Sequence, residues 1–524
     1  MQAHPIHPAA PENAAPMKHA RNLTLAALAL TLLAPLAAAH AQARQPETVS
    51  INAAGPATPF PHFWEQMFGS GHAILALRQS WRDDLRAVKS VTDFRWVRFH
   101  GILDDDVDIF TRDEHGNPVY NFSQADEIYD GMLAQGVRPL VELSFMPTQM
   151  AFNPLDLHVF WYHPNVSPPR SWDDWDALIR TFAQHMVNRY GIDEVSQWYF
   201  EVWNEPNIDF WGGIPRLQSY EQLYAHTARA LKSVSPRLRV GGPATAAASW
   251  IPEFLAYVSA NHVPIDFVST HGYADDTVEN LFHNDKPVPE DDRVCAAVSK
   301  VRNQIDASAL PHLPLFWTEW NVQGQDESRD TPFVGPGLAN TVRECDGKVN
   351  EMSFWTFSDV FQEGGPIAKP FEGHFGLRAK GGINKPSFYD FALLHRLGDQ
   401  RLAVSSSDVL ATKAKDGSLR VAAWNIVDPG SKDWGKSGPA KIIDLEFRNV
   451  PPDARVTIAT VDQDHGNVLP KYRAMGSPDD PTPNQVEELN HETALPPPTE
   501  THLTNGHLKL TLTPNALDLV TVER

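Results

Sequence analysis

Two stretches of the chain place a glutamate at the end of an apolar run. In WNEPN, Asn204 and Glu205 follow the aromatic run Trp198–Val202, and in FWTEWN Glu319 ends a similar run. Such runs are typical of buried strands, so each carboxylate is expected where a strand ends. Two carboxyl groups in one pocket can cleave a glycosidic bond, because one protonates the leaving oxygen while the other attacks the anomeric carbon or activates water. The distance between them selects the outcome, and the sequence leaves that distance open.

The elements that would position these glutamates are apolar runs that alternate with helical patterns from about residue 64 onward. The eight runs are FWEQMFGSG near residue 64, Phe94–Gly101, Arg138–Phe145, Trp198–Pro206, Arg239–Thr245, Asp266–Tyr273, Pro314–Asn321 and Met352–Asp359. This alternation indicates βα units and an α/β fold. We therefore predict a (β/α)8 TIM barrel over residues 64–399, with its active site at the C-terminal ends of the strands.

Polar and aromatic side chains collect at these strand ends. They are Arg98, His100, Asn204, Glu205, His271, Tyr273, Glu319 and Trp355. A pocket that holds two carboxylates, an amide, histidines and a tryptophan fits glycosidic bond cleavage. The other strand glutamates, Glu142 and Glu201, are expected to be buried and paired with a barrel arginine such as Arg98, which is a structural role.

Residues 400–524 differ in pattern from the barrel. They contain alternating, Thr- and Val-rich runs separated by Pro, Asp and Gly, which predict an additional C-terminal β-sandwich domain. The strand-like stretch Thr48–Ala53, within the N-terminal segment 44–63, could return to pair in this sandwich. A stretch rich in turn formers from Met475 onward is expected to be a long excursion with one short helix.

Composition gives only a hint of a carbohydrate partner. The chain has 65 acidic and 44 basic side chains, a net charge of −21 and no Lys/Arg stripe, so a nucleic acid partner is not expected. Fifteen tryptophans and 10% aromatic residues suit stacking against sugars, although most tryptophans in any protein belong to its core. The acidic run Asp104–Asp106 lacks the downstream ligand spacing of a metal loop, so we predict no metal and no cofactor.

Residues 1–43 are predicted to be a secretory signal. Lys18 and Arg21 precede the Leu- and Ala-rich run Leu23–Ala39, and small residues follow it. The mature chain would begin near residue 42 or 44 and would be exported, either to a periplasm or outside the cell. No membrane contact is expected after signal removal, because no other apolar stretch of about twenty residues occurs.

The two cysteines, Cys295 and Cys345, lie fifty residues apart in predicted helical segments. An oxidising compartment permits a bridge between them. A disulfide requires Cα atoms about 4.4 to 6.8 Å apart, which spacing in the sequence does not reveal. A bridge and two separate buried thiols therefore remain alternatives.

Six further motifs lie in order along the chain. They are RWVRFHG, VSTHGY, FWTEWN, FWTFSDVF, GHFGL with KPSFYDFALLHRLGD, and DHGNVLPKYRAMGSPDDPTPNQVEEL. Together with WNEPN they resemble clan A glycoside hydrolases and, more narrowly, the β-xylosidase branch of family 39, over residues 48–524. The last, non-catalytic motif is the most specific, because many unrelated glycosidases share a bare NEP.

The resemblance implies catalytic roles for three residues. Glu205 would be the general acid/base, Glu319 the nucleophile, and Asn204 would hydrogen-bond the sugar 2-hydroxyl. The charge of the second carboxylate is expected to raise the pKa of Glu205, so that this residue starts the reaction protonated. When Glu319 becomes esterified, that charge disappears and Glu205 can act as a base toward water.

The resemblance also implies substrate-binding residues around this pair. Tyr273 would hold the carboxylate of the nucleophile, and His100 and His271 would line the subsite of the sugar that is cleaved off. Trp355 would form the floor of that subsite. All four lie at predicted strand ends, so the barrel fold would bring them together.

The loop after the eighth strand departs from the family pattern. The family tends to have two consecutive acids there, whereas this chain has Gln362 and Glu363, which leaves the role of the first acid in doubt. We expect Glu363 to bind substrate. An acid at this place favours a neutral sugar over a uronic acid, although the cation Lys369 is near in sequence.

The sequence therefore predicts a retaining exo-acting β-D-xylosidase that hydrolyses terminal xylose from xylo-oligosaccharides. One alternative is another specificity on the same machinery, namely an α-L-arabinosidase, an iduronidase-like enzyme or an endo-acting exopolysaccharide hydrolase. The other is a non-catalytic carbohydrate-binding protein that kept the barrel. The oligomeric state is left open.

Overall fold

The computed structural model describes residues 46–322, 326–427 and 438–523. Eight parallel strands form a closed barrel, in chain order around the ring. Their bounds are Met67–His72, Trp96–His100, Arg138–Leu143, Tyr199–Val202, Arg239–Thr245, Phe267–His271, Leu315–Trp320 and Glu351–Phe354. Six of them lie within the predicted runs, and Met67–His72 and Glu351–Phe354 each extend one residue beyond theirs, so the prediction of a (β/α)8 TIM barrel is confirmed.

Helices connect the barrel strands and pack outside them. The α-helices are Gln79–Lys89, Ser123–Leu133, Trp172–Tyr190, Ile192–Val195, Arg216–Val234, Ile251–Ala260, Val278–Phe282, Glu290–Asp306, Val334–Cys345 and Pro386–Leu394, and the 3-10 helices are Ala73–Leu77, Ala246–Ala248 and Asp326–Asp330. Local chemistry sets their ends. The helix Trp172–Tyr190 begins where the Ser171 side chain accepts from the backbone N–H of Asp174, and it ends at Gly191, whose φ is +81°.

Alternation along the strands places a polar layer above an apolar one inside the barrel. The lower layer contains Met67, Leu140, Phe267 and Phe316, with Trp96 and Tyr199 packed against them. Two residues further along their strands come Arg98, Glu142 and Glu201, which therefore face the same side as Trp96, Leu140 and Tyr199. The sequence thus fills the bottom of the barrel with apolar side chains and its top with charges.

Two further sheets share one apolar core. The three-stranded sheet has the order Glu47–Asn52, Lys441–Arg448, His507–Leu512. The seven-stranded sheet has the order Ala57–Pro59, Gln400–Leu402, Val409–Lys413, Leu419–Trp424, Leu517–Val522, Arg455–Val461, Thr499–His502. Strand Lys441–Arg448 alternates buried and less buried side chains, as expected of a strand with one face against a core.

The N-terminal segment contributes a strand to each of these two sheets. Glu47–Asn52 pairs in parallel with Lys441–Arg448, and Ala57–Pro59 pairs antiparallel with Gln400–Leu402. The β domain is therefore built from both sides of the barrel in sequence.

The excursion after Val461 contains the helices Leu469–Ala474 and Pro483–Glu492. Leu489 and Tyr472 pack against Ala379 and Ile383, which belong to the hairpin Arg378–Ala379/Ile383–Asn384 beyond the eighth barrel strand. The excursion thus supports a loop on the active-site side of the barrel. A second small hairpin, Phe110–Arg112 with Pro118–Tyr120, follows the second barrel strand.

Cys295 and Cys345 form a disulfide, with their Cα atoms 5.1 Å apart. It joins the helices Glu290–Asp306 and Val334–Cys345. Among the described residues, none of the helices has the length and apolar character needed to cross a membrane. The predicted secretory signal, residues 1–43, lies outside the described part of the chain, so it stays a prediction.

Candidate active site

The buried guanidinium of Arg98 is the centre of the pocket above the barrel. Its Nε donates to Glu201 at 2.6 Å, and its Nη1 donates to Oε1 of Glu319 at 2.6 Å. Its Nη2 lies 2.9 Å from Oδ1 of Asn204 and 2.8 Å from Oε2 of Glu142. The predicted pairing of Arg98 with two buried glutamates is confirmed, and the structure adds Glu319 and Asn204 to its partners. This number of acceptors offsets the cost of burying the cation.

The two candidate catalytic carboxylates converge on His271. Its Nδ1 lies 3.0 Å from Oε1 of Glu205 and 3.7 Å from Oε1 of Glu319. One carboxylate oxygen of Glu205, one of Glu319 and one ring nitrogen of His271 all lie within 4.8 Å of one another. Carboxylate oxygens from the ends of strands four and seven therefore approach within that distance over the barrel.

A constrained turn directs Glu205 into the pocket. Trp203 and Glu205 have φ values of +72° and +42°, in the left-handed region that residues with a Cβ rarely adopt. The backbone N–H of Glu205 donates to the carbonyl of Ala244 at 2.8 Å. Asn207 donates to the carbonyl of Ala246 and accepts from its N–H, at 3.1 and 2.8 Å. The loop after strand five thus holds the turn after strand four in place.

A bulge in strand seven directs the side chain of Glu319 into the pocket. Regular alternation would point Glu319 away from the side of the strand to which Phe316 points, yet both side chains reach the barrel interior. The pairing register between strands seven and eight shifts between Trp317 and Trp320, next to Glu319. Such an irregularity re-aims a side chain, and it is common beside active sites.

Both oxygens of Glu319 have a donor. Tyr273 donates its hydroxyl to Oε2 at 2.6 Å, while Arg98 occupies Oε1. Hydrogen bonds of this kind stabilise a negatively charged carboxylate. Asn204 presents its Oδ1 to Arg98, which leaves the amide NH2 oriented to donate to a hydroxyl in the pocket.

His100, Glu363 and Trp355 form another wall. Nδ1 of His100 lies 2.8 Å from Glu142, and its Nε2 lies 3.4 Å from Oε1 of Glu363. The ring centroids of His100 and Trp355 are 4.9 Å apart. The Trp355 ring fits because residue 69 is glycine, since a Cβ there would lie 2.2 Å from Cε3 of the tryptophan. All eight predicted site residues are thus linked by contacts around one pocket.

The comparisons with known proteins assign the chain as a whole to a family. The model of glycosyl hydrolases family 39 matches residues 47–504. This chain belongs to glycosyl hydrolase family 39.

Two β-xylosidases match it along most of their length. The β-xylosidase of Geobacillus stearothermophilus is 36% identical over 480 residues, which cover 89% of this chain and 93% of that protein. The β-xylosidase of Caldicellulosiruptor saccharolyticus is 34% identical over 444 residues, covering 82% and 87%. The crystal structure of a monomeric β-xylosidase from Caulobacter crescentus CB15 is similar, with a TM-score of 0.81, 32% identity, and coverage of 91% and 99%.

In this family 39 protein, burial is the main influence on the pKa of Glu205. Burial raises this pKa to about 7, Glu142 adds to the effect, and His100 and Arg98 oppose it. The expected direction is confirmed, while the expected cause, the charge of the opposite catalytic carboxylate, is wrong. The oxygens of Glu319 are hydrogen-bonded by Arg98 and Tyr273 instead.

The two histidines of the site differ in charge. Burial lowers the pKa of His100, but the charge and hydrogen bond of Glu142, together with Glu363 and Glu319, outweigh it and raise the value to about 10. Burial lowers the pKa of His271 to about 4, although Glu319 opposes that shift. Near neutral pH, His100 is therefore a cation beside Glu363, and His271 is a neutral group between the catalytic glutamates.

A long segment, residues 146–170, spans the top of the barrel and is called the arch below. Its Trp161 donates a backbone N–H to the carbonyl of Glu363 at 2.8 Å, in the loop after strand eight. Its Val166 accepts from the N–H of Gly212 at 2.9 Å, in the loop after strand four. The arch thereby joins two loops that lie on different sides of the pocket.

Aromatic rings from these loops surround His100, and sequence reasoning missed them. The centroids of Phe145, Phe160 and Phe210 lie 6.2, 6.1 and 6.4 Å from that of His100. Phe160 belongs to the arch, and Phe210 belongs to the loop after strand four. The only signal in the sequence is a high density of aromatic residues in both loops, which does not say which rings face inward.

The residues of the dipeptide Gln362-Glu363 face different partners. With its amide oriented to accept, the side-chain oxygen of Gln362 lies 2.6 Å from Nη2 of Arg78 and 2.9 Å from its Nη1. Glu363 instead lies beside His100. The first position, whose role the sequence left in doubt, is thus occupied by an uncharged partner of an arginine.

Two groups among the described residues have donor atoms close enough to hold a metal ion. One is Glu205, His271 and Glu319, whose atoms already have partners, because His271 lies 3.0 Å from Glu205 while Arg98 and Tyr273 donate to Glu319. The other is His62, Glu65 and His395, where the buried Glu65 carboxylate pairs with the two Nδ1 atoms at 2.5 and 2.8 Å. These short pairings account for the second group as a hydrogen-bonded cluster.

Proposed function

We propose that this protein is a retaining exo-β-D-xylosidase that releases terminal xylose from xylo-oligosaccharides. The approach of Glu205 and Glu319 within 4.8 Å carries the proposal. Retaining glycosidases hold their carboxyl groups about 5 to 5.5 Å apart, whereas inverting enzymes leave about 6.5 to 9.5 Å for a water molecule. The xylose specificity is supported by the two β-xylosidases that match this chain at 34–36% identity.

In the first step, Glu205 donates its proton to the leaving oxygen while Oε1 or Oε2 of Glu319 attacks the anomeric carbon. The raised pKa of Glu205 keeps it protonated below about pH 7. Arg98 and Tyr273 hold the attacking carboxylate in position. The amide of Asn204 donates to the 2-hydroxyl, a contact that strengthens in the transition state.

In the second step, water replaces the leaving group and attacks the glycosyl ester of Glu319. Glu205, now deprotonated, removes a proton from this water, and the carboxylate of Glu319 is released. Both steps invert the anomeric centre, so the product retains the β configuration.

The arch supports exo action. Its hydrogen bonds to Glu363 and Gly212 connect the loops after strands eight and four over one side of the pocket. A polysaccharide cannot pass through a pocket that is closed on one side, so only a chain end can enter. The rings of Phe160 and Phe210, with centroids 5.1 Å apart, pack against each other on this side of the pocket.

Glu363 supports a neutral sugar rather than a uronic acid. Its carboxylate is held at the pocket wall beside His100 and would repel a substrate carboxylate. The nearby cation Lys369 faces Glu372 at 3.5 Å instead. An iduronidase-like specificity would need an unopposed cation at the distal hydroxyls.

Export of the protein is part of the proposal. Support comes from the signal-like pattern in residues 1–43 and from the disulfide between Cys295 and Cys345, because disulfides persist in oxidising compartments. Reading the N-terminal residue of the protein secreted by its host, by mass spectrometry, tests it. A mature N-terminus near residue 42 or 44 supports export, whereas an intact N-terminus in the cell interior contradicts it.

The activity is tested with 4-nitrophenyl β-D-xyloside, followed by proton NMR. Initial appearance of β-xylose supports the sugar and the retaining mechanism, whereas α-xylose first would overturn the role of Glu319 as nucleophile. Glu319→Gln is expected to lower kcat by more than about 10⁴-fold. The control is Glu372→Gln, in the loop after strand eight, which should keep parental activity. Xylohexaose digestion gives xylose and xylopentaose as first products if the enzyme is exo-acting, whereas xylobiose, xylotriose and xylotetraose as first products would contradict exo action.

A further inference from the structure

Glu142, in strand three, has donors on both of its carboxylate oxygens. The hydroxyl of Ser144 donates to Oε1 of Glu142, and the backbone N–H of Gly101 donates to that hydroxyl oxygen at 3.1 Å. The other oxygen, Oε2, lies 2.8 Å from Nδ1 of His100 and 2.8 Å from Nη2 of Arg98. The side chain of Glu142 is fully buried, so it can act on a substrate only through these neighbours.

The contact with Glu142 fixes the orientation of the His100 ring. Because Nδ1 of the ring is held by Glu142, the opposite nitrogen, Nε2, is turned toward the pocket. There it lies 3.4 Å from Oε1 of Glu363 and 3.9 Å from Oε1 of Glu319. A histidine with one nitrogen bound to a carboxylate presents the other nitrogen in a fixed direction. Glu142 therefore reaches the pocket through His100.

Glu142 also has the largest favourable influence on the charge of His100. Burial lowers the pKa of this ring, and the charge and hydrogen bond of Glu142 oppose burial more than Glu363 and Glu319 do. Burial lowers the pKa values of the two neighbouring histidines to about 3 and about 4, so both are neutral near pH 7. The charged and titratable groups around the ring are Arg98, Glu142, Glu205, Glu319, Glu363, His72 and His158.

The charge of His100 decides what this wall of the pocket offers to a sugar. Burial raises the pKa of Glu363, whereas the hydrogen bond and charge of His100 lower it. With His100 charged, Glu363 stays an anion, and the pair offers an N–H donor and free carboxylate lone pairs to sugar hydroxyls. With His100 neutral, a protonated Glu363 would donate to Nε2, and the two side chains would satisfy each other.

We propose that Glu142 is a positioning residue that keeps His100 charged and turned toward Glu363, and that this ion pair selects a neutral, hydroxyl-bearing sugar ring. The proposal rests on the xylosidase function above, because it concerns the same pocket. The sequence predicted only a structural role for Glu142, through its pairing with Arg98. The second contact of Oε2, to His100, adds a role in substrate binding.

Glu201 provides a matched control. It lies opposite Glu142 on strand four, is equally buried, and pairs with the guanidinium of Arg98 through Nε at 2.6 Å. Glu142→Gln and Glu201→Gln therefore each remove one buried charge from Arg98. Only the first variant also removes the charged partner of His100, so a difference between the two variants reports on that contact.

The test measures the inhibition constant Ki of D-xylose between about pH 5 and pH 8, because Ki contains no chemical step. In Glu142→Gln, the pKa of His100 should return toward its ordinary 6.5, since burial opposes the remaining carboxylates. The ring then loses its proton within this range, and Ki should rise at least about tenfold relative to the parent. Glu201→Gln should follow the parental pH profile. Glu142→Asp keeps the charge on a shorter stem, so it should raise Ki equally at both ends of the range.

Nitrogen NMR of histidine-labelled protein observes the charge of the ring directly, and His100→Gln identifies its signals. The His100 ring should stay protonated over this range in the parent and in Glu201→Gln, and should titrate in Glu142→Gln. A ring that titrates in the parent or stays protonated in Glu142→Gln overturns the proposal, as do equal pH profiles of Ki in the two Gln variants.

Two further outcomes keep the proposal open to refutation. If Glu142→Gln does not fold, an unchanged Ki in Glu142→Asp overturns the positioning role. If the NMR results are as expected but the parent neither binds xylose nor cleaves any xyloside, the xylosidase function fails, while the dependence of the His100 charge on Glu142 stands.

Discussion

Nη1 of Arg98 lies 2.6 Å from Oε1 of Glu319, so the candidate nucleophile is held in position by a cation from the charged layer inside the barrel. The same guanidinium contacts Glu142, Glu201 and Asn204. One side chain thus sets the position of the nucleophile and of the amide expected to bind the 2-hydroxyl. Any change at this residue should affect catalysis and stability together.

Arg98→Lys is expected to lower kcat/KM by about 10² to 10³-fold, because an ammonium on a longer stem cannot replace the planar fork that reaches four partners. The free energy of unfolding should fall by about 3 kcal/mol, since buried carboxylates lose their hydrogen bonds. Steady-state kinetics and urea unfolding measure the two effects. Arg95→Lys, at a half-exposed arginine that pairs with Asp93, is the control and should change neither.

The pKa of Glu205 predicts the alkaline limb of the pH profile. Because Glu205 must be protonated to assist departure of the leaving oxygen, kcat/KM for methyl xyloside should fall tenfold per pH unit above about pH 7. A 2,4-dinitrophenyl xyloside needs no proton on its leaving group, so its alkaline limb should be much weaker. Equal limbs for the two substrates would argue against Glu205 as the acid.

The same pKa makes Glu205 a source of instability at high pH. Its folded value, about 7, lies above the ordinary 4.5, so the stability associated with the protonated form is complete below pH 4.5 and is lost as pH rises through 7. The free energy of unfolding of Glu205→Gln should therefore exceed that of the parent by up to about 3 kcal/mol at pH 8, and the two should be equal at pH 4. Calorimetry at both pH values measures this difference, and a variant that is no more stable at pH 8 would contradict it.

Gly69→Ala should damage substrate binding more than folding. The new Cβ would come within 2.2 Å of the Trp355 ring and force this ring toward the pocket. We expect kcat/KM for xylosides to fall at least tenfold while the barrel persists, as circular dichroism would show. Gly131→Ala is the control, because its nearest neighbour is the flexible Arg82 side chain at 3.1 Å; its activity should be parental.

Removal of the disulfide should destabilise the protein without altering the site. Cys295 and Cys345 close a loop of 50 residues, and such a crosslink contributes about 2 to 4 kcal/mol. The double variant Cys295→Ala/Cys345→Ala should melt at a lower temperature with unchanged kcat. Reduction of the parent with dithiothreitol should reproduce the shift, and an unchanged melting temperature in both would argue against a stabilising bridge.

The barrel and the site residues could be predicted because their signals are local. Each barrel strand is an apolar run bounded by polar residues, and the chemistry-bearing residues stand at the run ends, where the fold collects them. The pairing of Arg98 with Glu142 and Glu201 followed from the same logic, since charged residues inside strands need partners.

Other features depend on contacts that no local pattern encodes. The backbone atoms of Trp161 and Glu363 form a hydrogen bond although the residues lie 202 positions apart, so the sequence did not predict the arch. The bulge beside Glu319 breaks the alternation on which strand arguments depend. The origin of the Glu205 pKa was misjudged for a related reason, because burial of a side chain depends on surrounding loops rather than on the residue next to it.

The parallel strands Glu47–Asn52 and Lys441–Arg448 pair although they lie almost 400 residues apart in the chain. A ribosome makes the first of these strands long before the second, so the early strand has no partner while the barrel is being synthesised. Closing so large a loop is slow, and an unpaired strand edge invites pairing with other chains. A nascent chain that stops short of residue 441 therefore exposes an aggregation-prone edge, and only full-length synthesis removes it.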